Sequence, residues 1–201
     1  GITQTASVTV VPGPVSAAQS TVVAAPTSIT AGVATSTITV TARDASGNVI
    51  AGATVTLAAT GTGNTITQPA AVTNASGVAT GTIASTVAQA KAVSATIGAV
   101  AVTQTATVTV VPAAISGTNS SIAAAPTSIT AGGGAAIVTV VARDAFGNVV
   151  SGATVVISST GTNNAITQPA ATTDANGTAI GAIGSTVAET KTVSATAGGV
   201  A

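Results

Sequence analysis

The sequence contains no cysteine, methionine, tryptophan, tyrosine or histidine, and its only phenylalanine is Phe146. Metal sites and nucleophilic centres built on histidine or cysteine are therefore excluded. Charged residues make up only 4% of the 201 residues, and the formal net charge is zero. Because a phosphate backbone is bound through an excess of lysine and arginine, nucleic acid is excluded as a partner.

Acidic side chains are also too few for catalysis or for a metal site. They are Asp44, Asp144, Asp174 and Glu189. Asp44 and Asp144 occupy equivalent turns one repeat apart, so they cannot act together on one scissile bond. Asp44 and Asp174 each lack the cluster of oxygen ligands that a calcium ion requires. We therefore expect no enzymatic activity, no cofactor and no metal.

Threonine, valine, alanine and glycine dominate instead, and hydrophobic residues make up 46% of the chain. Since β-branched residues favour strands and strong helix formers are scarce, the composition predicts an all-β fold.

Polar residues interrupt every apolar run, so no run reaches the roughly 20 residues that a membrane-spanning helix needs. We expect no insertion into a membrane. Because no signal peptide precedes the first strand-like residues, we also expect the segment to begin inside a longer polypeptide.

The chain is an internal repeat with a period of 100 residues. When the sequence is shifted by that period it aligns with itself without a gap, and 60 of the first 100 aligned pairs are identical. The segments 1–12 and 101–112 both end in proline, and Pro12-Gly13-Pro14 is typical of a short, stiff linker. We predict that residues 1–14 are the last strand of a preceding repeat plus a linker. Residues 15–112 are then the first complete repeat, and residues 113–201 are a second repeat that lacks its own last strand.

Within one repeat, alternation of polar and apolar residues predicts short strands separated by turns. The predicted strands are 20–25, 27–31, 35–43, 51–59, 63–68, 78–84, 91–97 and 100–111. Seven or eight short strands with turns about every 8–12 residues are typical of an immunoglobulin-like sandwich. The predicted fold is all-β, with two tandem immunoglobulin-like β-sandwiches.

The same alternation predicts the core and the turns. The residues expected to be buried are Ile38, Val40, Val55, Leu57, Ile83, Val93, Val108 and Val110. A turn follows the strand 35–43, where an aspartate, a glycine and an asparagine can cap and reverse the backbone. These turn residues, expected to be structural, are Asp44, Gly47 and Asn48 in the first repeat and Asp144, Gly147 and Asn148 in the second.

A family resemblance rests on a series of motifs that spans the chain twice. The series runs PTSITAG, TITVTARDASGNVIAGATVTL, TNASGVATGTI, KAVSATIG and VTQTATVTV. The second repeat carries close copies of the first four motifs, and residues 2–10 carry a close copy of the fifth. It resembles the bacterial immunoglobulin-like repeats, group 1, of the intimin and invasin type. The resemblance implies a non-catalytic module in the stalk of a bacterial surface adhesin, located outside the cell. The sequence departs from that family in having few charges and aromatic residues.

Three further features lead to hypotheses. Lys91 and Lys191 begin equivalent strands, and we expect them to be solvated strand-end lysines rather than cross-linking groups. Threonine ladders at 35–41 and 103–109 favour strands simply because threonine is β-branched. They also leave open an adhesive or ice-binding module that acts through these threonine faces or through the loops at 60–70 and 160–170. Val8 and Val10 repeat the pattern of the last strand, so residues 1–12 are a candidate donor strand for a neighbouring copy. The expected partners are therefore neighbouring copies of the repeat, joined within one chain or head to tail as a filament.

Overall fold

A computed structural model describes residue 1 and residues 3–201. Contacts along the chain divide it into two compact units, Gly1–Val111 and Pro112–Ala201. Both units are built from strands, and the described residues form no helix. No described segment is therefore a helix with the length and hydrophobicity needed to cross a membrane. The predicted all-β fold is confirmed.

The first unit is a sandwich of two sheets. The strands are β1 Thr21–Ala25, β2 Ser28–Thr30, β3 Ser36–Thr41, β4 Val55–Ala59, β5 Asn64–Thr67, β6 Val78–Ser85, β7 Ala90–Ile97, β8 Val100–Ala101 and β9 Ala106–Val111. One sheet has the strand order β1-β3-β6-β5, and the other has the order β2-β9-β7-β4 with β8 beside β7. All pairs in these sheets are antiparallel except β2 with β9.

The core of the first unit lies between these sheets and is aliphatic. All eight residues predicted to be buried belong to it, and Ile38, Ile83 and Val108 are fully enclosed. In β3 the buried side chains alternate with threonines on the outer face, as the period of two requires. Pro26, which has no N–H to donate, separates the first two strands as predicted, and β1 joins one sheet while β2 joins the other.

The second unit repeats the first with one difference. Its strands are β10 Ser121–Ala125, β11 Ala135–Val141, β12 Val155–Ser159, β13 Asn164–Thr167, β14 Thr178–Ser185 and β15 Val193–Ala197. Its sheets are β10-β11-β14-β13 and a pair, β12-β15. Among the described residues it has no strand that corresponds to β2, β8 or β9.

Two predicted strand boundaries are wrong. The segment predicted as one strand at 100–111 is divided into β8 and β9. The residues between them bond elsewhere, since the Thr103 N–H donates to Ala17 O and Gln104 Oε1 accepts from the Val22 N–H. The strand predicted at 51–59 begins only at Val55, because the backbone around Gly52 and Ala53 bonds to Thr73.

Candidate functional site

The turn after β3 is organised by the carboxylate of Asp44. Its Oδ1 accepts from the N–H groups of Ser46 and Asn48, both at 2.9 Å. Its Oδ2 accepts from Asn48 Nδ2 and from the Gly13 N–H, again both at 2.9 Å. Gly47 has a φ of 85°, which a side chain would disfavour. The structure thus brings Asp44, Gly47 and Asn48 together and ties the linker at Gly13 to them.

These donors stabilise the ionised form of Asp44. The pKa of Asp44 is lowered to about 2. The hydrogen bond from the Asn48 side chain has the largest effect and the one from the Gly13 N–H the next largest, while burial acts in the opposite direction. Because four N–H groups occupy its oxygens, the carboxylate has little capacity left to ligate a cation. Among the described residues no cluster of three or more acidic or histidine side chains could hold a metal ion.

The second unit repeats this arrangement around Asp144. Oδ1 accepts from the N–H groups of Phe146 and Asn148, both at 2.9 Å. Oδ2 accepts from Asn148 Nδ2 at 2.7 Å and from the Ala113 N–H at 2.9 Å. Burial acts to raise the pKa of Asp144, but these four hydrogen bonds together bring it below its usual value. Gly147 has a φ of 83° in the same turn.

Lys91 is not the solvated lysine that we expect from the sequence. It is completely buried, and its Nζ donates to Thr62 O at 2.7 Å. Burial lowers its pKa. The strand β9 covers it, with Val108 directly opposite in the antiparallel register. The sequence did not reveal this because both the cover and the carbonyl partner come from distant parts of the chain.

Lys191, the equivalent residue, has a different environment. Its Nζ donates to Thr162 O at 2.7 Å and pairs with the carboxylate of Glu189. The hydrogen bond from Lys191, followed by one from the Thr162 N–H, lowers the pKa of Glu189. The Lys191 side chain is 12% exposed rather than enclosed, because no strand covers it in the described part of this unit.

One outer edge of each sandwich is capped by a glutamine that sequence reasoning missed. Gln68 Oε1 accepts from the Leu57 N–H at 2.7 Å, and its Nε2 donates to Leu57 O at 2.8 Å. Gln168 makes the same pair of bonds with Ile157, both at 2.7 Å. A side-chain amide thus occupies the backbone groups that an added strand would use on β4 and β12.

The described residues of the second unit include no strand on the other side of β15. In the first unit β9 lies between β2 and β7, whereas β15 has only β12 beside it. Residues 128–130 and 190–192 consequently lack the strand conformation of their counterparts in β2 and β7. Ile122 is 40% exposed, while its counterpart Val22 is 1% exposed.

The candidate donor strand is solvent-exposed in the structure. The described residues before Gly13 form no strand, and Val8 and Val10 are 88% and 89% exposed. Their counterparts in β9, Val108 and Val110, are buried at 0% and 3%. Val108 and Val110 are buried because β9 is paired with a strand on each side, whereas the segment that carries Val8 and Val10 forms no strand. Whether residues 1–12 complete a neighbouring copy stays a prediction.

Family models match nearly the whole chain. Residues 16–113 match invasin, domain 3, and residues 119–201 match the bacterial Ig-like domain, group 1. These are families of adhesin-type domains rather than of enzymes. No curated protein sequence matches the chain.

Solved structures share the fold. InvD of Yersinia pseudotuberculosis is 30% identical with a TM-score of 0.65, covering 90% of this chain and 53% of InvD. The Escherichia coli adhesin FdeC is 25% identical with a TM-score of 0.61, covering 93% of this chain and 62% of FdeC. Invasin, a bacterial integrin-binding protein, is 23% identical with a TM-score of 0.70, covering 92% of this chain and 38% of invasin. The chain therefore spans between about two fifths and three fifths of these proteins, and it consists of tandem bacterial immunoglobulin-like domains of the invasin and intimin type.

Proposed function

We propose that the chain is a non-catalytic spacer in the stalk of a bacterial extracellular surface protein. The observation that carries the proposal is the bond between each linker and the domain after it, Gly13 to Asp44 and Ala113 to Asp144. A spacer must resist bending where modules join, and a linker held by a carboxylate has fewer conformations than a free one. The proline-containing sequence of each linker acts in the same direction.

The related proteins support the surface location and the adhesin context. FdeC is an adhesin, and invasin is an integrin-binding protein. Binding to a host ligand is not carried over to this chain, because the side chains that usually dominate interfaces are scarce. Phe146 is the only aromatic residue, and it lies on a turn. We assign this segment to presentation of an adhesive part rather than to adhesion itself.

The spacer role can be tested by measuring how narrowly the distance between the two units is distributed. Thr67→Cys and Thr167→Cys place one spin label on an exposed position of each unit, in a chain with no other cysteine. We expect a narrow distance distribution that broadens with Asp144→Ala and stays narrow with Asp174→Ala, a turn residue remote from the linker in sequence. Circular dichroism checks that both variants fold. A broad distribution in the parent protein would contradict the proposal.

Separate copies are further proposed to join head to tail by strand addition. The support is the near-identity of residues 3–12 and 103–112, which differ only at Ser7 and Thr107. Such an association is heterologous and propagates unless it closes into a ring. Removal of residues 1–12 is expected to abolish polymerisation at high concentration. Fibres that persist without this segment would show that the joining occurs elsewhere.

A threonine array on the first unit favours one alternative, an ice-binding or other ligand-binding face. Thr82 of β6 pairs with Thr37 of β3 and with Thr67 of β5, which places three threonines in a row on the outer face. In the second unit the first two positions are Ala182 and Ile137. The array is therefore not maintained from repeat to repeat. A thermal-hysteresis assay with no activity would discard the ice-binding alternative.

A further inference from the structure

We propose that β2 and β9 of the first unit form a mechanical clamp, which resists unfolding when the chain is pulled along its length. This inference rests on the proposed spacer role, because a spacer in a stalk carries any tension that is applied to the part it presents. It adds the pair of strands that bears this tension. Both strands lie within the first unit, Gly1–Val111.

The chain enters the first sandwich at one end of β3. Val15 forms an antiparallel bridge with Asp44, just after the last residue of β3. The Ser16 N–H donates to Arg43 O at 2.8 Å, which holds the chain at the same place. β1 is antiparallel to β3 and starts beside its last residue, so β1 runs away from this entry point.

The chain leaves the sandwich at the other end of β3. The Ala31 N–H donates at 2.9 Å to the carbonyl oxygen of Val111, the last residue of β9. The neighbouring Gly32 N–H donates to Ser85 O, also at 2.9 Å. Ser85 ends β6, whose antiparallel register places its last residues beside Ser36, the first residue of β3. A tension between the entry and exit points therefore acts along the strands rather than across them.

β2 and β9 receive this tension from opposite ends. The two strands are parallel, with Ser28 beside Thr109 and Thr30 beside Val111. β2 is joined to the entry point through Pro26 and β1, so tension pulls it at its first residue. β9 leads directly into the exit linker, so tension pulls it at its last residue. Two neighbouring strands are thus drawn in opposite directions along their axes.

Pulling in these directions loads the β2–β9 ladder in shear. At one end of the ladder the Thr109 N–H donates to Thr27 O at 2.8 Å, and at the other end the Ala31 N–H donates to Val111 O. The bonds of a parallel ladder are evenly spaced, so sliding one strand past the other extends all of them at once. Strands that are peeled apart from a shared end instead lose their bonds one after another. Shear therefore presents the higher barrier.

Buried side chains oppose the same sliding motion. Ile29 and Val110 are neighbours in the ladder and are each 3% exposed, and Val108 is fully enclosed. Because the core is closely packed, β9 cannot slide without drawing these aliphatic side chains out of their contacts. A shift by one residue would turn them towards the solvent. Sliding thus costs apolar burial in addition to hydrogen bonds.

Single-molecule force spectroscopy on the full chain tests the clamp, since pairs of cysteines set the direction of pulling in a chain that has none of its own. Val11→Cys/Ala114→Cys attaches the force probe on either side of the first unit and pulls it along its strands. Val33→Cys/Ala114→Cys is the matched control. Val33 is 77% exposed and follows β2 at the exit end, so this second pair peels the same two strands from their shared end.

We expect the first unit to unfold at roughly twice the force or more in the first direction, at the same pulling speed, because forced unfolding is governed by the barrier to unfolding. Equal forces in the two directions would overturn the clamp. The spin-label distances report the linker, whereas these forces report the sandwich. A failure of the spacer role and a failure of the clamp are therefore distinguishable.

Thr109→Pro tests the ladder itself. It removes the N–H that bonds to Thr27 and keeps the Val110 N–H that bonds to Gln89 on the other side of β9. Thr107→Pro is the control, because Thr107 lies on the same face of β9 but outside the register with β2. Circular dichroism checks that both variants fold, and the two pulling directions decide alone if Thr109→Pro does not.

The expected result is a smaller difference between the two pulling directions in Thr109→Pro, with the difference retained in Thr107→Pro. A general loss of stability would instead lower the unfolding force in both directions. If Thr109→Pro folded and kept the full difference between the directions, the ladder between β2 and β9 would not be the clamp.

Discussion

The Gly13 N–H donates to Asp44 Oδ2 at 2.9 Å, across 31 residues of sequence, and the Ala113 N–H makes the same bond to Asp144 Oδ2. In each repeat the carboxylate that shapes a turn therefore also holds the linker leading into the domain. The loss of either aspartate is expected to disturb the turn and the linker together.

Asp44 is expected to make the first unit sensitive to acid. Its pKa is about 2 in the folded protein and 3.8 for the unperturbed group, so folding favours the ionised form. Its contribution is complete above about pH 4 and is lost as the pH falls toward 2. Urea unfolding at pH 5 and at pH 2.5 measures the free energy of unfolding with and without this contribution. The difference between these two free energies should be smaller in Asp44→Asn than in the parent protein. The control is Asp174→Asn, because Asn74 makes the equivalent turn bonds in the first repeat. An unchanged acid dependence in Asp44→Asn would contradict the assignment.

Lys91 is expected to make stability rise with alkaline pH. Burial lowers its pKa in the folded state below the 10.5 of the free side chain. Between these two values the unfolded chain binds more protons, so the free energy of unfolding increases as the pH rises. The chain has no cysteine, tyrosine or histidine to obscure the effect. Lys91→Met keeps the bulk of the side chain and should remove most of the rise in the free energy of unfolding with pH. Lys191→Met is the control and should show the same rise as the parent protein. Chemical denaturation from pH 7 to 10.5 measures the free energy of unfolding at each pH. If this free energy rose as much in Lys91→Met as in the parent protein, the rise would not come from Lys91.

Gly81 in β6 is expected to tolerate no side chain. A Cβ there would lie 2.4 Å from Thr67 O and 2.6 Å from Leu57 Cδ1. Since overpacking a core costs about 1–3 kcal/mol, Gly81→Ala should destabilise the first unit by that amount in urea unfolding. Gly134→Ala is the matched control, because a Cβ at Gly134 would meet nothing within 4 Å. Equal stability of the two variants would mean that the sheets are packed less closely than described.

The glutamine caps are expected to protect the outer edge. Gln68→Ala removes two hydrogen bonds to Leu57, worth about 1 kcal/mol each, and exposes the β4 backbone. Lower stability and increased aggregation, measured by light scattering, are the expected results. Gln19→Ala, at an exposed position outside the strands, is the control. Unchanged aggregation of Gln68→Ala would exclude the capping role.

The sequence predicts those parts of the fold that depend on local pattern. The alternation in β3 predicts Ile38 and Val40 as buried, because a strand turns every second side chain to the same face. The environment of Lys91 could not be predicted, since its carbonyl partner lies 29 residues away. Similarly, the link from Gly13 to Asp44 becomes visible only when the chain has folded. Long-range hydrogen bonds leave no periodic pattern in the sequence.

The restraint of each linker by an aspartate is the central claim, and the distances between spin labels at Thr67→Cys and Thr167→Cys test it most directly. The account predicts a narrow distance distribution in the parent protein that broadens when Asp144 is replaced by alanine, because the Ala113 N–H then loses its acceptor. A distribution that is already broad in the parent protein, or one that Asp144→Ala leaves unchanged, would contradict it.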